Sequence, residues 1–136
     1  MKLSKIIKRI TASSISFAAL DAVWLGVVMK DFFREHLGDI ARGSGNGIEP
    51  DWTAAVLVYI LLVAGVNIFA VSNKSGIKRI PDSLVRGALF GFITYGIYDL
   101  TNMATLEAWT WKMSIIDMLW GAFLCATVSA IASYVE

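Results

Sequence analysis

A chain of 136 residues that is 57% hydrophobic and only 17% charged departs from the soluble norm of about 45–50% apolar and about 25% charged residues. Its net charge of +1 excludes a polyanion-binding surface built on bulk charge, so no nucleic acid partner is expected. One cysteine, Cys125, and one histidine, His36, exclude a disulfide framework and leave little room for a zinc site or a serine–histidine–aspartate triad.

The expected class is an all-α integral membrane protein, one domain over residues 1–136. Four apolar segments, residues 6–29, 52–72, 83–103 and 113–134, each approach the ~20 residues that cross ~30 Å of hydrocarbon. Strands are excluded, because the segments lack alternation and four strands close no barrel. The first segment follows Lys2, Lys5, Lys8 and Arg9, as a secretory signal would. Its apolar run continues to Met29, broken only by Asp21, without a small-residue cleavage site, so a retained helix is expected.

Between the first two spans, residues 31–42 form an expected amphipathic helix with Phe32, Phe33, Leu37 and Ile40 on its apolar side. His36 is expected to be solvated there. Gly43-Ser44-Gly45-Asn46-Gly47 reads as a flexible turn. Pro50-Asp51 and Pro81-Asp82 place an aspartate where it can cap a span. In the second span, Asn67 is expected to tie two helices together. The last connection, residues 104–112, carries Trp109 and Trp111, expected at the membrane interface. Cys125 is expected to be a packing residue.

Lipid gives no hydrophobic drive between helices, so small residues should mark the seams. These are Ala18, Ala22 and Gly26; Gly87 and Gly91; and Ala122, Ala126 and Ala130. A homodimer face stays open as the other role for some of them.

Orientation follows from Lys and Arg. With the N-terminus inside, Lys2, Lys5, Lys8, Arg9, Lys74, Lys78, Arg79 and Arg86 fall on the cytoplasmic side; Lys30, Arg34, Arg42 and Lys112 fall outside. The excess places both termini in the cytoplasm.

Three carboxylates lie inside apolar segments, where a central Asp costs about 2.5–3.5 kcal/mol to insert. At 1.5 Å per residue, Asp21 and Asp99 stand ~22 Å and ~24 Å from the inner edge, and Asp117 ~6 Å below the outer edge. All three share one layer in the outer half. Residues three or four apart share a helix face, which sets Trp24 beside Asp21, Tyr95 and Asn102 beside Asp99, and Trp120 beside Asp117. Such a set is a candidate ligand-binding or proton-exchanging site, with Trp24 and Trp120 as walls and Tyr95 and Asn102 as orienting partners. If Asp21, Asp99 and Asp117 held a metal, a hard cation would suit them best. No cofactor is identified.

Leu20-Asp21-Ala22-Val23-Trp24-Leu25-Gly26, Tyr98-Asp99-Leu100-Thr101-Asn102-Met103-Ala104 and Asp117-Met118-Leu119-Trp120-Gly121 resemble the hallmark segments of a bacterial membrane-protein family, domain of unknown function 2177. The resemblance implies a four-helix, multi-pass protein of the bacterial inner membrane, the same acidic residues and a setting in lipid chemistry. It brings no activity. Asp-x-x-Trp also recurs in the first and fourth spans, which run antiparallel as an inverted repeat requires.

The leading expectation is a site in the outer half for a lipid-derived or cationic ligand. One alternative is a small proton-coupled transporter working as a homodimer, against which stands an inner half offering only Asn67 as a polar lining residue. The other is a non-catalytic accessory subunit of a membrane lipid-modifying enzyme.

Overall fold

The structure, a computed structural model, describes residues 2–43 and 48–135; the turn expected at residues 43–47 lies, from Ser44 onward, outside the described residues. The described residues are helical, with no strand among them. Helix α1 spans Leu3–Val23 and runs into a π turn, Trp24–Val28. Next come the short α2, Lys30–Leu37, and then α3, Trp52–Gly65, which also ends in a π turn, Val66–Ala70. A 3-10 turn at Gly76–Lys78 leads into α4, Arg79–Thr105, and α5 covers Trp111–Tyr134.

What is buried inverts the soluble pattern. The inward stripe of α1 recurs every four residues as Arg9, Ser13, Phe17 and Asp21, while Ile7, Ile10, Ile15 and Val23 face outward. Water would drive the opposite arrangement; in lipid, polar side chains are the ones that need the protein interior. Among the described residues, three helical runs are long and apolar enough to cross a membrane: Leu3–Val28, Trp52–Ala70 and Trp111–Tyr134. The third expected span, residues 83–103, lies within α4, which is longer than any of these but diluted by Gly87, Gly91, Thr94, Gly96, Asp99 and Asn102.

Helix α5 is the hub. It packs along α4, against α1 and against the end of α3, around a core of Phe17, Val66, Leu124, Cys125, Val128 and Ala132. The α4–α5 seam is the closest. A Cβ on Gly87 would strike Ser129 and the Cys125 carbonyl, and one on Gly91 would strike the Gly121 carbonyl. Only glycine lets these backbones approach so closely. Cys125 is a buried packing residue, as expected.

Several expectations give way. On α5 the buried seam is Gly121, Cys125 and Ser129, with Ala122, Ala126 and Ala130 half-buried beside it. Ala18, Ala22 and Gly26 form no seam. They are exposed, and nothing lies within 4 Å of a Cβ built on Gly26. The polar stripe of α1 has taken the inward face instead. Asp51 caps α3 by accepting from the Ala54 N–H at 3.1 Å. Asp82 caps nothing, because the turn at Gly76 (φ +63°) starts α4 three residues earlier; its carboxylate accepts from Ser72, Lys74 and Arg86. Trp109 packs inside the bundle instead of facing outward: it is 5% exposed, donates to Ser114 Oγ at 3.1 Å and lies edge-on to Tyr98. Trp111 is exposed. His36 is half-buried on α2, stacked on Phe32 and donating from Nδ1 to the Phe32 carbonyl at 2.8 Å.

Candidate functional site

Asp21 ends the buried stripe of α1, one turn before the helix widens into its π turn. Its two oxygens are both occupied. Oδ1 accepts from Trp120 Nε1 on α5, and Oδ2 accepts from the Tyr59 hydroxyl on α3, each at 3.0 Å. One carboxylate thus ties three helices, which satisfies a buried acid that would otherwise be costly.

The two Asp-x-x-Trp segments meet. Trp24 and Trp120 stack with ring centroids 4.3 Å apart and planes 1° from parallel. The exchange is one-sided, however: Trp120 donates to Asp21, whereas Trp24 Nε1 is buried with no acceptor.

Asp99 is the opposite case to Asp21. It is 0% exposed, on the buried face of α4, and neither of its oxygens has a hydrogen-bond donor. Its acidic neighbour is Asp117 on α5, within hydrogen-bond reach, and Asp117 in turn lies within electrostatic range of Asp21. Ionised carboxylates only accept, so two that face each other can hydrogen-bond only when one carries a proton. The pair is therefore built for a shared proton or for a donor brought by something else.

The remaining candidates take supporting places. The ring of Tyr95 packs on Gly121, where a Cβ would collide with it, and it lies within electrostatic range of both Asp21 and Asp117. Asn102 is half-buried beside Tyr98. All seven residues thus fall at one end of the bundle, on α1 and its π turn, α4 and α5, but as two units rather than one cluster. Among the described residues no three His, Cys, Asp or Glu side chains converge as metal ligands, so the three-carboxylate cation set is not assembled. Among the described residues, Asp21, Asp99 and Asp117 are not part of the lining of three cavities of about 700–820 Å³, which lie elsewhere on the bundle.

Two partners escaped the sequence reading. Tyr59 sits in a featureless apolar run, and nothing in that run marks which way it faces. Arg9, counted as a cytoplasmic charge, is 7% exposed and reaches α3, where Nε donates to Asn67 Oδ1 at 3.3 Å and Nη2 to the Asn67 carbonyl at 2.8 Å. Asn67 Nδ2 donates to Ser13 Oγ at 3.0 Å and to the Val63 carbonyl at 2.8 Å, so Asn67 is the expected interhelical tie. The four-residue spacing of Arg9, Ser13, Phe17 and Asp21 was the available signal for Arg9.

In comparison with known proteins, the family model described as a predicted membrane protein (DUF2177) matches residues 6–134. No curated protein and no solved structure matches the chain.

Proposed function

Because the chain belongs to the DUF2177 family of predicted membrane proteins, we propose that it is a four-span protein of the bacterial inner membrane whose Asp99–Asp117 pair exchanges a proton or accepts a cationic, hydrogen-bond-donating group of a small or lipid-derived ligand. The observation that carries this reading is Asp99, fully buried with neither oxygen given a donor. An unsatisfied buried carboxylate costs too much to persist as packing, whereas Asp21 shows how this fold satisfies an acid that serves only as a tie. The stacked Trp24 and Trp120 keep the layer dry, and Trp24 Nε1 supplies a donor for a ligand's acceptor.

Four spans are supported by the pairing of α4 with α5. Contacts run antiparallel from Gly87 with Ser129, through Gly91 with Gly121, to Gly96 with Met118. If α5 crosses the bilayer, a helix pressed along it must cross as well. The excess of Lys and Arg at the inner ends orients both termini to the cytoplasm.

The test is infrared spectroscopy of the detergent-purified protein between about pH 5 and 9, a range in which free carboxyls are ionised. A protonated-carboxyl band should persist at neutral pH and vanish in Asp99→Asn and in Asp117→Asn, but survive in Asp21→Asn. No such band in the unsubstituted protein at neutral pH would refute the shared proton.

One observation favours transport as a second reading. The inner half is more polar than Asn67 alone, because Arg9, Ser13 and Asn67 form a hydrogen-bonded group below Asp21 on the same stripe of α1. Only Phe17 interrupts that line. Proteoliposomes carrying a pH-sensitive dye would reveal proton flux, which Asp99→Asn should abolish.

A further inference from the structure

Helices α4 and α5 meet in one antiparallel register. Each step of four along α4 is answered by a step of four back along α5: Gly87 lies against Ser129, Gly91 against Cys125, and Tyr95 packs on Gly121. Residues four apart share a helix face, so the next rung of this ladder is Asp99 and Asp117. Backbone packing thus sets the two carboxylates opposite each other, within hydrogen-bond reach. Both Asp99 oxygens are nevertheless buried without a donor.

This rung is open on one side. Asp99 is 0% exposed, whereas Asp117 is half-buried, so whatever reaches the pair comes past Asp117. The titratable groups near it are Asp21 from α1 and Tyr95 and Tyr98 from α4 itself, and none of them supplies a positive charge. Two carboxylates that hold one proton between them carry a single negative charge. A monovalent cation with N–H groups that replaces the proton leaves that charge unchanged and gives both carboxylates donors. Such an exchange adds no net charge to a low-dielectric layer, where added charge is costly.

We propose that the Asp99–Asp117 rung exchanges one proton for one protonated primary amine. The R–NH₃⁺ group enters past Asp117, its N–H groups donate to both carboxylates, and the shared proton leaves to solvent. The inference rests on the reading that the pair shares a proton, and it makes proton exchange and cation binding two states of one site. Two other cations fit worse. A quaternary ammonium has no N–H and would leave the Asp99 oxygens unsatisfied. A hard divalent metal takes about six oxygen ligands, and among the described residues no third His, Cys, Asp or Glu joins the pair to hold one.

An ammonium head can belong to a free amine or to an aminolipid. The protein in a maltoside detergent would therefore be offered ethylammonium and phosphatidylethanolamine, with tetramethylammonium and magnesium for contrast. Two signals are read at neutral pH: the protonated-carboxyl infrared band, and proton release into weakly buffered solution. At least one of the two amines should remove the band and release about one proton per protein, binding about tenfold tighter per pH unit while the pair holds its proton. Ethylammonium acting would mark a free amine as the ligand, and phosphatidylethanolamine acting alone an aminolipid. Tetramethylammonium and magnesium should do neither. Asp99→Asn and Asp117→Asn should each abolish the release, and the comparison of cations in the unsubstituted protein holds whether or not those variants fold. A band that is present at neutral pH and survives both amines would overturn the exchange while sparing the shared proton; no band at all would overturn both. Equal release by tetramethylammonium or by magnesium would overturn the proposal too, by giving the pair to cations without N–H groups.

Discussion

Asp21 and Asp99 differ in what surrounds them, and substitution should separate them by sign. Asp21 accepts two side-chain hydrogen bonds, so Asp21→Asn leaves one donor facing an amide N–H₂ and should destabilise the bundle. Removing one donor at a time, Tyr59→Phe or Trp120→Phe, should each cost about 0.6 kcal/mol and at most about 1.7, the range for interhelical hydrogen bonds in membranes. Asp99 accepts none, so Asp99→Asn gains a donor toward Asp117 and should leave thermal stability in detergent unchanged or raised. A fall as large as that of Asp21→Asn would contradict the geometry. At the other end of α4, Asp82 behaves as an ordinary paired acid: hydrogen bonds from Lys74 and then Ser72 hold its carboxyl down to about 2. Its folded value lies below its unfolded one, so its stabilising contribution is present above about pH 4 and is lost as pH falls toward 2. Melting curves from pH 6 downward should show wild type and Asp82→Asn converging across that window.

Among the elements, the α4–α5 seam and the outer face of α1 make a controlled pair of glycines. Gly91→Ala drives a Cβ into the Gly121 backbone, overpacking that should cost about 1–3 kcal/mol. Gly26→Ala meets nothing and should be neutral or stabilising by up to about 1 kcal/mol. Thermal unfolding of both in one detergent checks the contrast; equal losses would mean that Gly26 is covered by a partner. The same pair shows what was legible in the sequence. Gly87-x-x-x-Gly91 read correctly, because helices that touch backbone to backbone need glycine. Ala18, Ala22 and Gly26 misled, because in lipid a polar side chain has a stronger claim on the interior than a small one, and Arg9, Ser13 and Asp21 claimed it. That the three acids come to one level of the bundle followed from helix rise alone. That Asp21 stands apart from the Asp99–Asp117 pair did not, because separation within a layer depends on helix rotation. In α3, apolar on every side, no pattern records rotation, and Tyr59 stayed hidden with it.

For the whole molecule, the location of the C-terminus decides how many helices cross. With the N-terminus inside, α1 carries the chain out and α3 brings it back. A spanning α4 and α5 then return the C-terminus to the cytoplasm. If α4 instead lay on the inner surface, α5 would leave the C-terminus outside. Hydropathy alone favours that second arrangement, since α4 is not among the runs apolar enough to span. Packing opposes it. The glycines at 87, 91 and 96 press against α5 from Ser129 to Met118, so an α4 on the surface would expose that seam and the buried Asp99 together. Charge opposes it less strongly than the sequence implied, because Arg9 is buried in the bundle and the inner excess becomes seven to four. The expected result is a C-terminal reporter that reads cytoplasmic, and one inserted beside Arg42 that reads on the opposite side. A C-terminus found outside would require the α4–α5 seam to be broken in the membrane, and the Asp99–Asp117 pair would lose its place in the bilayer with it.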